Sequence, residues 1–313
     1  MSRIHEALKK AEQERVATPL VSDPNQPLAS LSAGEATLAP GLMSAPEEMG
    51  AGAETIQHLT GDYIRFEDLR ARCSHPEWHP APNENVFSPL GLDPLAAEQF
   101  RTLRSRLYQF QSNQKIRTLL VTSSIPREGK TFVASNLAQA IVCQPDHRVL
   151  LIDADLRCSR LHVPLGAPSS PGLTDYLSGK ADEMAVIQQG PEGNLCFIPG
   201  GNSVTNPSEL LSNGGIRKLL TRLAPVFDWV IVDSPPCMPV ADASVLADIC
   251  DGVLFVVRAG STPSAVAHKA CQELQGGTVA GVVLNGVEEV GAYGSYYYYG
   301  DGGGRDESKK SRK

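Results

Sequence analysis

One junction limits what this chain can fold into more than any other: "RTLLVTSSIPREGKTFVASNLAQAIV", residues 117–142. Its apolar first part predicts a buried strand, and "GKTFVASNLAQAIV" predicts a helix that starts directly after a glycine-containing turn. From Ser124 to Thr131 the turn fits the phosphate-loop pattern G-x-x-x-x-G-K-[ST], except that Ser124 replaces the first glycine. The spacing has a mechanism. Loop N–H groups wrap a phosphate, and the positive end of the following helix points at it. Gly129 lets the backbone approach closely, Lys130 reaches the outer phosphate oxygens, and the Thr131 hydroxyl is placed to ligate Mg²⁺. A strand feeding such a loop belongs to an α/β protein.

Further strands follow the same logic. "RVLLIDA" (148–154), "NLCFIP" (194–199), "DWVIVDS" (228–234), "GVLFVVR" (252–258) and "AGVVLNGV" (280–287) are continuous apolar runs rather than alternating ones. Such runs predict strands buried on both faces, and helical segments such as "NGGIRKLLTRLA" between them predict a mostly parallel sheet wrapped by helices. In an open parallel sheet, ligands sit at the carboxyl ends of the strands. Two strands end there in acid. "VLLIDADLR" delivers Asp153 and Asp155, and "WVIVDSPP" delivers Asp233. Beside a phosphate loop these carboxylates are expected to bind Mg²⁺ and to orient or deprotonate an attacking hydroxyl. Asp233 fits the metal role, and Asp153 and Asp155 share what remains.

Composition narrows the class. The 313 residues are 42% hydrophobic and 20% charged, ordinary globular values, and the net charge of −7 argues against a nucleic-acid partner. No apolar run approaches the roughly 20 residues of a membrane span, and "MSRIHEALKK" lacks the apolar core of a secretory signal. Seven scattered cysteines predict reduced, buried thiols in a cytosolic protein.

Four segments are expected. Residues 1–16 predict a short helix with Ile4, Leu8 and Ala11 on one face. Residues 17–89, rich in Pro, Ala, Gly, Ser and Glu, predict a flexible linker. Within it "CSHPEWHP" groups Cys73, His75 and His79 without the fourth ligand a metal site requires. Residues 90–288 are the α/β domain, opened by a helix with Asp93 as N-cap and Pro94 first. Residues 289–313 form a tail in which "GAYGSYYYYGDGGG" holds five of the eight tyrosines: Tyr293, Tyr296, Tyr297, Tyr298 and Tyr299.

Together these residues resemble the bacterial tyrosine kinases (BY-kinases) of exopolysaccharide and capsule synthesis. The three nucleotide motifs of that family are similar to "SSIPREGKT", "LLIDADLR" and "VIVDSPP" here, and "NPSELL" (206–211) and "GVVLNGV" (281–287) are further family-like signatures. The N-terminal "MSRIHEALKKAEQER" is similar to the subtype of tyrosine autokinase encoded with exosortase-linked loci, whose kinase is a chain separate from its membrane partner. The resemblance implies a nucleotide site built from Ser124, Arg127, Glu128, Gly129, Lys130, Thr131 and Phe132, with Asn285 near the base. It implies ATP and Mg²⁺ as cofactors, with Lys130, Asp153, Asp155 and Asp233 catalytic and Thr131, Asp155 and Asp233 at the metal. The tyrosine cluster would be phosphorylated by a neighbouring subunit of a ring, assembled through Glu98, Arg101 and Arg104 of an E-x-x-R-x-x-R helix. A membrane polysaccharide co-polymerase of the chain-length-determinant type would be the activating partner. Membrane association would then be indirect, at the inner face.

Two positions depart from the pattern. Arg127 stands where the family has glycine, and Ile125 stands where the related partitioning ATPases carry a second lysine. Ile125 favours a kinase over an ATPase switch of the partitioning type. Arg127 keeps open a nucleotide-binding scaffold that transfers nothing.

Overall fold

A computed structural model of the protein describes residues 64–87, 94–274 and 277–287. The expected N-terminal helix, the Asp93 cap and the tyrosine tail lie outside the described residues. In chain order the elements are α1 (Phe66–Arg72), α2 (Pro94–Asn113), β1 (Thr118–Ser123), α3 (Lys130–Val142) and β2 (Val149–Asp153). Then come α4 (His162–Leu165), α5 (Leu173–Leu177), α6 (Glu183–Val186), β3 (Gln188–Gln189) and β4 (Leu195–Ile198). Last are α7 (Pro207–Ser212), α8 (Gly215–Leu223), β5 (Trp229–Asp233), α9 (Asp242–Ala247), β6 (Gly252–Arg258), α10 (Ser264–Glu273) and β7 (Val279–Asn285). The expected strands are all present to within two residues. The addition is β3, two polar residues that no apolar pattern announces.

The seven strands form one sheet in the order β3-β4-β2-β5-β1-β6-β7, parallel throughout except for the antiparallel β3–β4 pair. Strand side chains alternate between two buried layers. Leu120, Leu150, Ile152, Val230, Val232 and Phe255 join one layer, with α1, α5, α8 and α10 packed on it. Leu119, Val121, Leu151, Ile231 and Val256 join the other, against α2 and α3. The β1→β2 connection through α3 steps over β5. That leaves a crevice at the carboxyl ends of β1, β2 and β5, the kind of switch point at which parallel sheets bind ligands.

Two expectations need correction. The expected linker does not extend to residue 89, because residues 64–87 pack on the domain. Phe66, Leu69 and Cys73 lie in one core layer, and Trp78 lies in the other against Phe197, with ring centroids 6.0 Å apart. Ser74 borders β3, with Ser74 N–H donating to the Ile187 carbonyl and Gln189 N–H to the Ser74 carbonyl. His79 N–H donates to the carbonyl of Gly166, where a Cβ would lie 1.9 Å from the His79 backbone oxygen. A few large apolar groups spaced among Pro, Glu and His anchor this stretch, too sparsely for a periodic signal.

The second correction concerns burial. β1, β2, β4 and β5 are buried throughout, but β7 is an edge strand whose Val282 and Leu284 are 60% and 50% exposed. Likewise the seven cysteines are all free, yet Cys143 and Cys158 are exposed rather than buried. No helix among the described residues is long and apolar enough to cross a membrane.

Candidate active site

The loop after β1 turns through two left-handed residues, Arg127 at φ 71° and Gly129 at φ 93°. At Gly129 glycine is required twice. The conformation favours it, and a Cβ there would lie 2.0 Å from Asn285 Nδ2. Gly129 caps α3, so Lys130 and Thr131 are the first residues of that helix and stand at its positive end. At Arg127 the same conformation is strained, because a Cβ costs about 1–2 kcal/mol in the left-handed region.

Glu128 performs a role that its expected place among the nucleotide ligands does not capture. Its carboxylate is 1% exposed and turned into the protein. It accepts from Ile125 N–H at 2.7 Å, the Thr262 hydroxyl at 2.6 Å and Arg258 N–H at 3.3 Å. Three donors offset the cost of burying this charge. They also tie the loop to the segment that follows β6. From the other side, Asn285 Nδ2 donates to the Glu128 carbonyl at 2.9 Å. Asn285, expected near the base, therefore supports the loop backbone. Phe132, also expected at the nucleotide, is half-buried and packs on Phe100 of α2, with centroids 5.9 Å apart. The Ser124 hydroxyl is buried without a hydrogen-bond partner.

β2 and β5 bring the acids together. They pair in parallel with Asp153 level with Asp233, so one register sets both carboxyl-terminal acids at the same height. The Thr131 hydroxyl donates to Asp233 Oδ2 at 2.7 Å, while Asp233 Oδ1 is buried with no partner. Asp153 is held by three donors: the Ser159 hydroxyl at 2.8 Å, Leu161 N–H at 3.0 Å and Asp155 N–H at 3.1 Å. Asp155 accepts from Cys158 N–H and pairs with Lys130, whose Nζ lies 3.2 Å from Oδ2. Burial pushes Asp233 up to about 8, against the pull of the Lys130 charge, and Asp153 up to about 6. Burial alone would lower Lys130, but Asp233 and Asp155 together raise it.

A hydroxyl and a carboxylate with one unused buried oxygen make a hard-oxygen pair. That donor set suits a Mg²⁺ ion that keeps most of its waters and phosphate ligands. Sequence reading missed the clamp formed by Arg157, which bonds Asp242 at 2.7 Å and Ser208 at 2.7 Å. Arg157 lies in "LLIDADLR" and Ser208 in "NPSELL", but nothing in either run says that they meet across α9. The three expected assembly residues divide. Glu98 and Arg101 form an ion pair on the surface of α2, whereas Arg104 turns inward to the Ala140 carbonyl at 2.5 Å.

A parallel sheet with a phosphate loop after β1 and acids closing β2 and β5 defines a phosphate-loop nucleotide-binding protein. The comparisons make the class specific. No family profile matches the chain. It is 33% identical over 218 residues to tyrosine-protein kinase YwqD of Bacillus subtilis, covering 69% of this chain and 91% of that protein. It is 35% identical over 231 residues to tyrosine-protein kinase CpsD of Streptococcus agalactiae, covering 72% and 98%. The solved kinase domain of the Escherichia coli tyrosine kinase ETK superposes with a TM-score of 0.58 at 38% identity, over 61% of this chain and 76% of that one. The chain belongs to the bacterial tyrosine-protein kinases and is a protein-tyrosine kinase.

Two outcomes follow from the strain and the buried acids. Arg127→Gly removes a penalty of about 1–2 kcal/mol and adds about 0.5–1 kcal/mol of unfolded-chain entropy, so the nucleotide-free variant should melt about 1–2 °C higher by calorimetry. Asp153 and Asp233 hold protons in the folded state that they have lost when unfolded, so stability should fall as pH rises from about 4 to about 8. Thermal melts of the nucleotide-free chain should show that fall, and Asp233→Asn should flatten its upper part, from about pH 6.5 upward.

Proposed function

We propose that the protein is an ATP- and Mg²⁺-dependent autokinase that phosphorylates Tyr293 and Tyr296 to Tyr299 of a neighbouring copy and acts in exopolysaccharide or capsule synthesis. One observation supports this reading above the rest. Asn285, the last residue of β7, touches the phosphate loop, and Val287, the last residue described before the tail, is two positions further on. The acceptor segment is therefore rooted at the catalytic end of the sheet.

In this reading the loop N–H groups and Lys130 hold the β- and γ-phosphates, and Lys130 exchanges Asp155 for phosphate oxygens when nucleotide binds. Thr131 and Asp233 hold Mg²⁺, which when bound offsets the negative charge that builds on the transferring and leaving oxygens. The phenol oxygen of an acceptor tyrosine forms a bond to the γ-phosphorus as the bond to the bridging oxygen breaks, and ADP leaves. The phenol proton passes to the Asp153–Asp155 pair, whose carboxylates are linked through Asp155 N–H. Glu128 and Asn285 keep the loop in shape from behind, without touching the nucleotide through their carboxylate and amide groups.

Transfer between copies is what the family resemblance implies, and the exposed Glu98–Arg101 pair on α2 offers a surface for such assembly. Arg104, bonded inward, contributes by fixing α2 on α3. The activating partner is proposed to be a membrane co-polymerase that holds the kinase at the inner face of the membrane.

Transfer between copies is tested by mixing two variants. One carries Lys130→Ala and an intact tail; the other carries all five tail tyrosines as phenylalanine and an intact loop. With Mg²⁺ and ATP, phosphate should appear on the tail of the Lys130→Ala chain. Its absence, while the wild-type chain alone labels its own tail, would show transfer within one copy.

A further inference from the structure

Eight of the described positions at which the backbone turns left-handed are glycine, and the only other described one is Arg127, at φ 71°. A side chain in that conformation is strained, and strained residues gather at ligand-binding and switch sites. Arg127 stands in the middle of the phosphate loop, beside Glu128 and shortly before Lys130. The three side chains go different ways. Glu128 is buried and bonded to Ile125, Arg258 and Thr262. Lys130 reaches in to Asp155 at 3.2 Å. Arg127 is exposed, and its guanidinium makes no hydrogen bond or ion pair among the described residues. No contact of the side chain within the described fold offsets the strain.

We propose that Arg127 binds the terminal phosphate of the nucleotide and makes the loop prefer ATP to ADP; this rests on the loop being the ATP site. A triphosphate entering beside Asp153, Asp155 and Asp233 adds several negative charges. Lys130 is the only other basic residue between Ser124 and Thr131. Lys130 is a compact point charge already engaged by one acid, whereas a guanidinium presents a planar fork that fits two phosphate oxygens at once. The terminal phosphate carries three non-bridging oxygens, and ADP lacks that group. An exposed, unpaired side chain is free to close over it from the solvent side, while Glu128 and Asn285 hold the loop from behind. The contact offsets the strain. A glycine at this position would relax the loop and lose the contact.

Titration calorimetry tests this on the full-length chain with its five tail tyrosines changed to phenylalanine, so that no phosphate passes to them. With Mg²⁺ present, Arg127→Gly should bind ATP at least about tenfold more weakly than this parent, and ADP within about twofold of it. Arg127→Gln keeps the strained conformation and removes the charge, so it should lose ATP affinity as Arg127→Gly does. Arg127→Lys should fall between. Melting gives a second readout: Arg127→Gly should melt above its parent without nucleotide and below it at saturating ATP. Equal or tighter ATP binding by Arg127→Gly would overturn the proposal. So would a loss shared equally by ATP and ADP, or a parent that binds ATP no better than ADP. An ATP preference that depends on Arg127, in a protein whose natural tail never gains phosphate, would instead sink the autokinase reading and leave the contact standing.

Discussion

Thr131 donates to Asp233 across 2.7 Å, and most of the fold exists to make that contact possible. The threonine is the second residue of a helix started by a left-handed glycine, and the aspartate is the last residue of β5, the fourth strand after β1. Their meeting requires β1 and β5 to lie side by side, although more than a hundred residues separate them in the chain. Parallel pairing buried on both faces supplies that adjacency, and each fully buried leucine or isoleucine in β1, β2 and β5 contributes about 1.5–3 kcal/mol towards it. The same register carries Asp153 to the level of Asp233. Within the site the loop is a local motif, but its meeting with Asp153 and Asp233 is a consequence of strand order.

Its electrostatics are as constrained as its geometry. Three acids within one crevice would repel one another if all were ionised and unpaired. The structure divides the load: Lys130 takes Asp155, three donors take Asp153, and Asp233, pushed towards its protonated form by burial, keeps one oxygen unused. The loop that carries Lys130 is fixed from behind by another buried carboxylate, Glu128. That anchor takes the Ile125 N–H and holds the loop through a side chain that points into the protein.

Much of this was legible in the residues. Continuous Val/Ile/Leu runs mark strands buried on both faces, and the strand–loop–helix passage through Gly129 marks the phosphate site, because both patterns follow from local sterics. Contacts between distant segments were not legible. Glu128 reads as one more polar residue of a nucleotide loop until Thr262 is found beside it, and Arg157 gives no sign of Asp242. Residues 64–87 read as linker because four anchors, Phe66, Leu69, Cys73 and Trp78, are too few and too irregularly spaced to form a period. The exposed face of β7 misled for the opposite reason: its valines look like those of a central strand, and only strand order reveals an edge.

The central claim is that this site moves phosphate from ATP to the tail. Intact-mass measurement of purified protein with Mg²⁺ and ATP, beside a Lys130→Ala control, tests it most directly. The expected result is a series of single-phosphate gains, mapped to residues 293–299 and missing from the control. A chain that binds ATP yet gains no mass, even with the cytosolic segment of a membrane co-polymerase added, would contradict the account and leave a nucleotide-binding scaffold in its place.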